Sequence, residues 1–97
     1  MEISALAALL GSLGQATRLD ILKLLAPYSK PDKGLGLPAG QIAKALNVAS
    51  PSLSFHLKDM SLRNLLIQQR LGREIYYRAN LQLVLEALAA LVEELEK

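Results

Sequence analysis

One segment constrains the fold of this chain more than any other, and it runs from Gln41 to Lys58. Its first part has the spacing of a short helix that ends near Asn47, a residue type that tolerates the left-handed backbone conformation. Ser50 followed by Pro51 has the form of a helix N-cap and a first helical residue, so a second helix is expected to follow at once. Two helices joined by so tight a turn predict a helix-turn-helix.

The second helix of this pair is predicted to extend to about Asn64, with Leu53, Leu57 and Met60 on its buried side. Its exposed side carries short polar groups where most surface helices carry long charged ones, which lets a helix lie deep in a groove. The candidate DNA-contacting residues here are Ser50, Ser52, Ser54, His56 and Lys58. The competing interpretation is a capped surface helix whose serines are simply solvated, since serine is common at helix starts.

A small basic hairpin is predicted next, over residues 66–78, with Gly72 in its turn. Arg70 and Arg73 flank the tip, where guanidinium groups can reach phosphates or enter a minor groove. The alternative is that the tip is charged only for solubility. A helix-turn-helix followed by a basic hairpin predicts a winged helix, whose usual partner is double-stranded DNA.

The distribution of charge agrees with an anionic partner for the middle of the chain. Residues 40–80 contain six basic and two acidic residues, whereas residues 81–97 contain four glutamates and one lysine. The basic part is therefore expected to face DNA and the acidic end to face away from it. With 97 residues in total, the chain is expected to form a single domain over residues 1–97.

Several classes of function are not supported by the sequence. There is no cysteine and only one histidine, so no metal site is expected, and no cofactor either. No motif of an enzyme is present, and the protein is predicted not to be one. No segment has the pattern of a membrane span or a secretion signal, so a cytoplasmic protein is expected, without a membrane partner.

The remaining segments complete a mainly α fold with a small β-hairpin, in the order α-α-α-α-β-β-α. A first helix is predicted over residues 2–11 and a second over 15–26. In the second helix Leu19, Leu22 and either Leu25 or Ala26 are expected inside, and Arg18 on the exposed side. Residues 27–38 are predicted to form a loop, and Pro38 is expected to open the third helix. Asn80 is expected to cap a last helix over residues 81–96.

The first and last helices carry more apolar surface than one small domain is expected to bury. We therefore predict that they form a homodimer interface, the alternative being a purely intramolecular core. The residues assigned to the interface are Ile3, Leu6, Leu10, Leu85, Leu88, Leu91, Val92 and Leu95.

Over nearly its whole length the chain resembles the ArsR/SmtB-type winged-helix repressors. The matching segments lie at residues 13–22, 37–43, 52–58 and 72–78, which include Ser52-Leu-Ser-Phe-His-Leu-Lys58 and Gly72-Arg-Glu-Ile-Tyr-Tyr-Arg78. The resemblance implies a bacterial homodimer that binds an imperfect palindrome in double-stranded DNA and releases it when a signal arrives. It also gives the DNA-contacting role to Arg73 in the wing and to the polar residues of the second helix of the pair.

This chain departs from the family pattern mainly at the residues that relatives use to sense the releasing signal. Many relatives sense metals through cysteines or through histidines of the last helix, and this chain has neither, so its inducer is unassigned. Phe55 stands where many relatives have a polar or basic residue, and we count it among the DNA contacts. The main alternative is a winged helix used as a protein-interaction module without its own operator. A MarR-like or PadR-like repressor would need longer dimerisation elements than 97 residues allow.

Overall fold

The computed structural model describes residues 1–97 and contains five α-helices and three strands. In chain order the elements are α1 (Ile3–Leu13), α2 (Ala16–Leu25), β1 (Leu37–Pro38), α3 (Ala39–Leu46), α4 (Ser50–Leu62), β2 (Leu66–Leu71), β3 (Glu74–Ala79) and α5 (Leu81–Leu95). Short 3-10 turns at Ala26–Tyr28 and Pro31–Lys33 interrupt the long connection between α2 and β1. The predicted order of helices and hairpin is confirmed, with one additional strand.

Helix α2 has nearly the predicted length, and Leu22 and Leu25 are buried as predicted, but its buried face is rotated away from Leu19 towards Arg18. Arg18 is only 3% exposed, although it was expected on the outside, and Leu19 is 53% exposed, although it was expected inside. The buried apolar residues are Ile21, Leu22 and Leu25. The rotation is possible because the charge of Arg18 has polar partners in the interior, which are described below.

The turn between α3 and α4 follows the local signals in the sequence, with a shift in register. Asn47 adopts the left-handed conformation with φ 53° and ends α3 as predicted. Helix α4, however, is capped by Ala49, whose extended backbone carbonyl accepts from the amide of Leu53 at 3.0 Å. Ser50 is therefore the first helical residue rather than the N-cap. Pro51 lies within the first turn, where its missing N–H has no helical partner to lose.

Strand β1 explains why Pro38 does not open α3. The three strands form an antiparallel sheet in the order β1-β3-β2, and Pro38 pairs with Tyr76 of β3. Just before it, Gly36 has φ +98°, and a Cβ atom there would lie 1.9 Å from the carbonyl oxygen of Tyr77. Only glycine lets the chain approach β3 this closely.

The core is formed where α2, α3 and α4 meet the base of the hairpin. The predicted stripe of α4 is confirmed, since its three apolar residues are each at most 2% exposed. The buried cluster consists of Leu13, Ile21, Leu22, Leu25, Ile42, Leu53, Leu57, Met60, Leu65, Leu66 and Ala79. The first turn of α5 packs against this cluster through Leu81, Leu83 and Val84, and the helix also contacts α1. None of the helices combines the length and apolar character needed to cross a membrane.

Candidate nucleic-acid interface

The exposed side of α4 presents three serine side chains and one lysine, as the sequence predicted. Ser50, Ser52, Ser54 and Lys58 are all exposed, and they lie away from the apolar face that packs on the core. No protein side chain forms a hydrogen bond with these four groups. Their hydroxyl and ammonium groups are therefore free to meet the base edges or phosphates of DNA.

Phe55 projects from the middle of this surface and is 67% exposed. Its ring meets the ring of His56 edge-on, with centroids 6.0 Å apart, and the guanidinium carbon of Arg18 lies 5.9 Å from its centroid. An exposed aromatic ring in this position can contact a thymine methyl group in a major groove.

His56 lies at the edge of the exposed row and is partly buried, so it is less open than predicted. Its Nδ1 atom accepts a hydrogen bond from Nε of Arg18 at 2.9 Å. Because a guanidinium can only donate, Nδ1 carries no proton in this arrangement. The other ring nitrogen, Nε2, is then the one that carries the hydrogen, and it is the nitrogen that remains available to a ligand.

Arg18 is the centre of a polar cluster that joins α1, α2 and α4. Its Nη1 atom donates to the hydroxyl of Ser12 at 2.7 Å and forms an ion pair with Asp59. The hydroxyl of Ser12 in turn donates to the same carboxylate at 3.0 Å, and Nε of Arg63 donates to it at 3.2 Å. The buried charge of Arg18 is therefore paired and hydrogen-bonded, which is the condition for burying it at all.

The polar cluster lowers the pKa values of two of its members, His56 and Asp59. Burial and the positive charge of Arg18 lower the pKa of His56 below its ordinary value of 6.5, and the opposing effect of Asp59 is smaller. For Asp59, burial acts to raise the pKa, but hydrogen bonds from Ser12, Arg18 and Arg63 outweigh it, and the pKa is lowered. At neutral pH the imidazole is therefore neutral and the carboxylate is charged.

The hairpin carries its two predicted arginines on an exposed tip. Gly72, with φ 64°, occupies the first position of the two-residue turn and Arg73 the second, while Arg70 lies on β2 opposite Ile75. Neither arginine forms an ion pair within the protein. Both side chains are thus available to an anionic partner.

An open groove of about 710 Å³ separates the second half of α4 from the hairpin. Ser54, Lys58 and Leu62 line its helical wall, and Ile67 and Tyr77 lie on the sheet side. The helix face and the hairpin are therefore two separate projections, which can contact different parts of a long ligand such as a duplex.

The residues predicted for a dimer interface fall into two groups. Leu6 is 2% exposed and packs inside the protomer, so it offers no surface to a partner, contrary to the prediction. The others keep some exposed surface, with Leu10 and Leu91 half-buried and five residues largely exposed. These five are Ile3, Leu85, Leu88, Val92 and Leu95.

Sequence reasoning did not identify the part that Arg18 and Asp59 play at this surface. Arg18 is buried on α2 and bonds to His56 and Asp59, whereas Asp59 is half-buried on α4 itself. The matching segment 13–22 includes Arg18, but the resemblance gave this residue no role. The spacing of three between His56 and Asp59 places them on one flank of α4, but it does not name a partner in α2.

A family model and a curated relative each match more than half of the chain. A family model described as a helix-turn-helix domain matches residues 13–69. The transcriptional repressor SdpR of Bacillus subtilis is 35% identical over 69 residues, which cover 71% of this chain and 69% of that protein.

Solved structures extend the similarity to the whole fold. A homodimeric winged helix-turn-helix DNA-binding domain from Mycobacterium bovis, described as a possible ArsR-family transcriptional regulator, is 28% identical, with a TM-score of 0.71. The match covers 95% of this chain and 81% of that one. An ArsR-like transcriptional regulator from Rhodococcus sp. RHA1 is 26% identical with a TM-score of 0.70, covering 97% and 85% of the two chains. The chain therefore belongs to the ArsR/SmtB-type family of winged-helix transcriptional regulators.

Proposed function

We propose that this protein is a homodimeric, sequence-specific transcriptional repressor that binds an imperfect palindrome in double-stranded DNA. The observation that carries the proposal is the combination of an exposed row of short polar side chains on α4 with an exposed arginine pair on the hairpin tip. The name of the SdpR relative supports repression, and the homodimeric relative supports the dimer. The protein would act by binding alone, in the cytoplasm and without an enzymatic activity.

In this proposal α4 enters the major groove and the hairpin tip contacts the flanking backbone. Ser54, His56 and Lys58 are assigned to base edges and nearby phosphates, and Phe55 to a thymine methyl group. Arg73, at the tip, is assigned to phosphates or to an adjacent minor groove. A protein-interaction module would not require these polar and basic groups to remain free on one side of the molecule.

A dimer held by α1 and α5 presents two such surfaces related by two-fold symmetry. The two half-sites should then lie in successive major grooves, about 34–36 Å apart, so the operator should be a palindrome. Because the chain has no cysteine and a single histidine, we propose that direct metal ligation does not release it from DNA. The releasing signal would be an organic ligand, a partner protein or a change in protein abundance.

Selection of bound fragments from the source genome tests the proposal and identifies the operator. We expect enrichment of fragments that share a palindrome, and no enrichment would favour the protein-interaction alternative. Binding to a recovered duplex and to a scrambled duplex is then measured over a salt series for two variants. Arg73→Ala should weaken binding to both duplexes and reduce the salt slope by about one unit.

Ser54→Ala is the matched comparison, because it removes a group assigned to reading rather than to anchoring. It should cost about 1–3 kcal/mol on the recovered duplex and little on the scrambled one. Loss of specificity in the hairpin variant, together with a purely non-specific loss in the helix variant, would show that the two roles are reversed.

A further inference from the structure

Arg18 contacts α4 at two points that lie almost one helical turn apart. Its Nε atom donates to His56 and its Nη1 atom pairs with Asp59, three residues further on. The guanidinium is anchored in turn by the backbone carbonyl oxygen of Ser12, at 3.3 Å, and by the hydroxyl of the same residue. A planar guanidinium with several fixed donors suits such a bridge, whereas a lysine ammonium does not.

We propose that Arg18, which does not itself reach the DNA, is the positioning residue that makes His56 a hydrogen-bond donor toward DNA. Arg18 holds the ring with Nδ1 inward as an acceptor, and this places the only ring N–H on Nε2, facing outward. The inference rests on the proposed function, because the outward N–H matters only if α4 reads DNA.

The tautomer decides what His56 can recognise. A lone Nε2–H donor matches acceptors such as guanine O6 or N7, adenine N7, thymine O4 or a phosphate oxygen. It does not match the amino groups of cytosine or adenine, which are donors themselves. Arg18 therefore contributes to sequence preference from a position that no base can contact.

The charged groups around the ring keep this arrangement in place at neutral pH. Arg18 faces the ring from α2, while Asp59 lies on α4 itself and is also bonded to Arg63 and to Ser12 of α1. Burial and the charge of Arg18 lower the pKa of His56. Protonation in acid would place a second donor on Nδ1 against the donor of Arg18, and the contact would be lost.

The tautomer can be measured directly, because His56 is the only histidine of the chain. Long-range ¹H–¹⁵N spectra of the untagged protein without DNA, recorded over a pH series, give both the protonated nitrogen and the pKa. We expect one tautomer, with the proton on Nε2, and titration below pH 6.5. Detectable population of the Nδ1–H tautomer would overturn the role of Arg18. So would a pKa of His56 at or above 6.5.

Two substitutions at His56 then separate the contact of Nδ1 with Arg18 from the proposed contact of Nε2 with DNA. In His56→Asn the amide oxygen can take the place of Nδ1 and accept from Arg18, but nothing replaces Nε2. In His56→Gln a donor can reach the position of Nε2, but the inner acceptor is lost. We expect His56→Asn to retain the thermal stability of the wild type and to lose about tenfold in affinity for the recovered duplex, without loss on the scrambled one.

The variant Arg18→Lys, which keeps the charge, tests the positioning role itself. We expect it to raise the pKa of His56, populate both tautomers and lose affinity for the recovered duplex only. Wild-type specificity in this variant, with altered His56 spectra, would overturn the proposal. A protein that shows the expected tautomer but binds no duplex would instead refute the proposed function, so the two failures are distinguishable.

Discussion

Replacing Leu88 by glutamate should dissociate the dimer that we propose. Leu88 lies near the middle of α5, is 47% exposed in the protomer, and is flanked on the same helix face by Leu85 and Val92. Full burial of a leucine side chain is worth about 1.5–3 kcal/mol, so covering the exposed half contributes about 1 kcal/mol per protomer.

Because the interface is two-fold symmetric, each substitution acts twice. The lost apolar contacts amount to about 2 kcal/mol, and burying a carboxylate in each copy without a partner costs several kcal/mol more. The dimer dissociation constant of Leu88→Glu should therefore rise at least 100-fold, since every 1.4 kcal/mol is a factor of ten. Sedimentation equilibrium over a concentration series measures this constant.

Gln82→Glu is the matched control, because it adds the same charge at an exposed position on the polar side of α5, where Gln82 donates a hydrogen bond to Glu86. It should leave the dimer intact. Equal dissociation constants for Leu88→Glu and the wild type would refute the assignment of this face. A wild-type protein that is monomeric at micromolar concentration and still binds its palindrome would refute the dimer itself.

Three further outcomes follow from the structure. Gly36→Ala should lower the free energy of unfolding by at least about 2 kcal/mol in denaturant titration, because Gly36 has a positive φ and lies close to the backbone of Tyr77. Gly40→Ala is the control and should not lower it, because a Cβ atom at Gly40 meets nothing within 4 Å. Thermal stability should fall in acid in two steps, because His56 and Asp59 both have a lower pKa in the folded state than in the unfolded state. The unfolded state takes up a proton on His56 below pH 6.5 and on Asp59 below about pH 3.8, before the folded state does in each case. Constant stability from pH 7 to 5 would contradict the first step. Zinc should not weaken DNA binding in a titration, and stoichiometric tight binding of zinc that releases DNA would be the contrary result.

Local signals in the sequence were sufficient to predict the elements that hold the groups proposed to contact DNA. Asn47 and Pro51 mark the turn between α3 and α4 through their own backbone preferences, and Gly72 marks the turn of the hairpin. These preferences belong to single residues and act whatever the rest of the chain does. The helix-turn-helix and the hairpin could therefore be predicted without knowing what they pack against.

The features that were missed depend on partners distant in sequence. The apolar pattern of α2 favours a buried face that includes Leu19 beside Leu22 and Leu25. The structure instead buries Arg18 beside those two leucines, where it pairs with Asp59, forty-one residues away in sequence. Strand β1 has only two residues, one of them Pro38, and forms solely because β3 has a free edge beside it.

The buried polar cluster around Arg18 fixes the rotation of α4 about its axis, which the apolar face of the helix does not do alone. Leucine and methionine side chains hold a helix on a core without directional contacts, so they tolerate small rotations of the helix. In the proposed complex, a rotation of α4 by a few tens of degrees would move Ser54 and Phe55 away from the bases to which we assign them. Arg18 bridges two points on one flank of α4 with directional hydrogen bonds, and such bonds resist rotation. Its ion pair with Asp59 is costly to break, about 3–5 kcal/mol for a fully buried pair and less here because the carboxylate is partly exposed. The cluster therefore fixes the orientation of the exposed face of α4, which we propose reads DNA, as well as contributing to the stability of the fold.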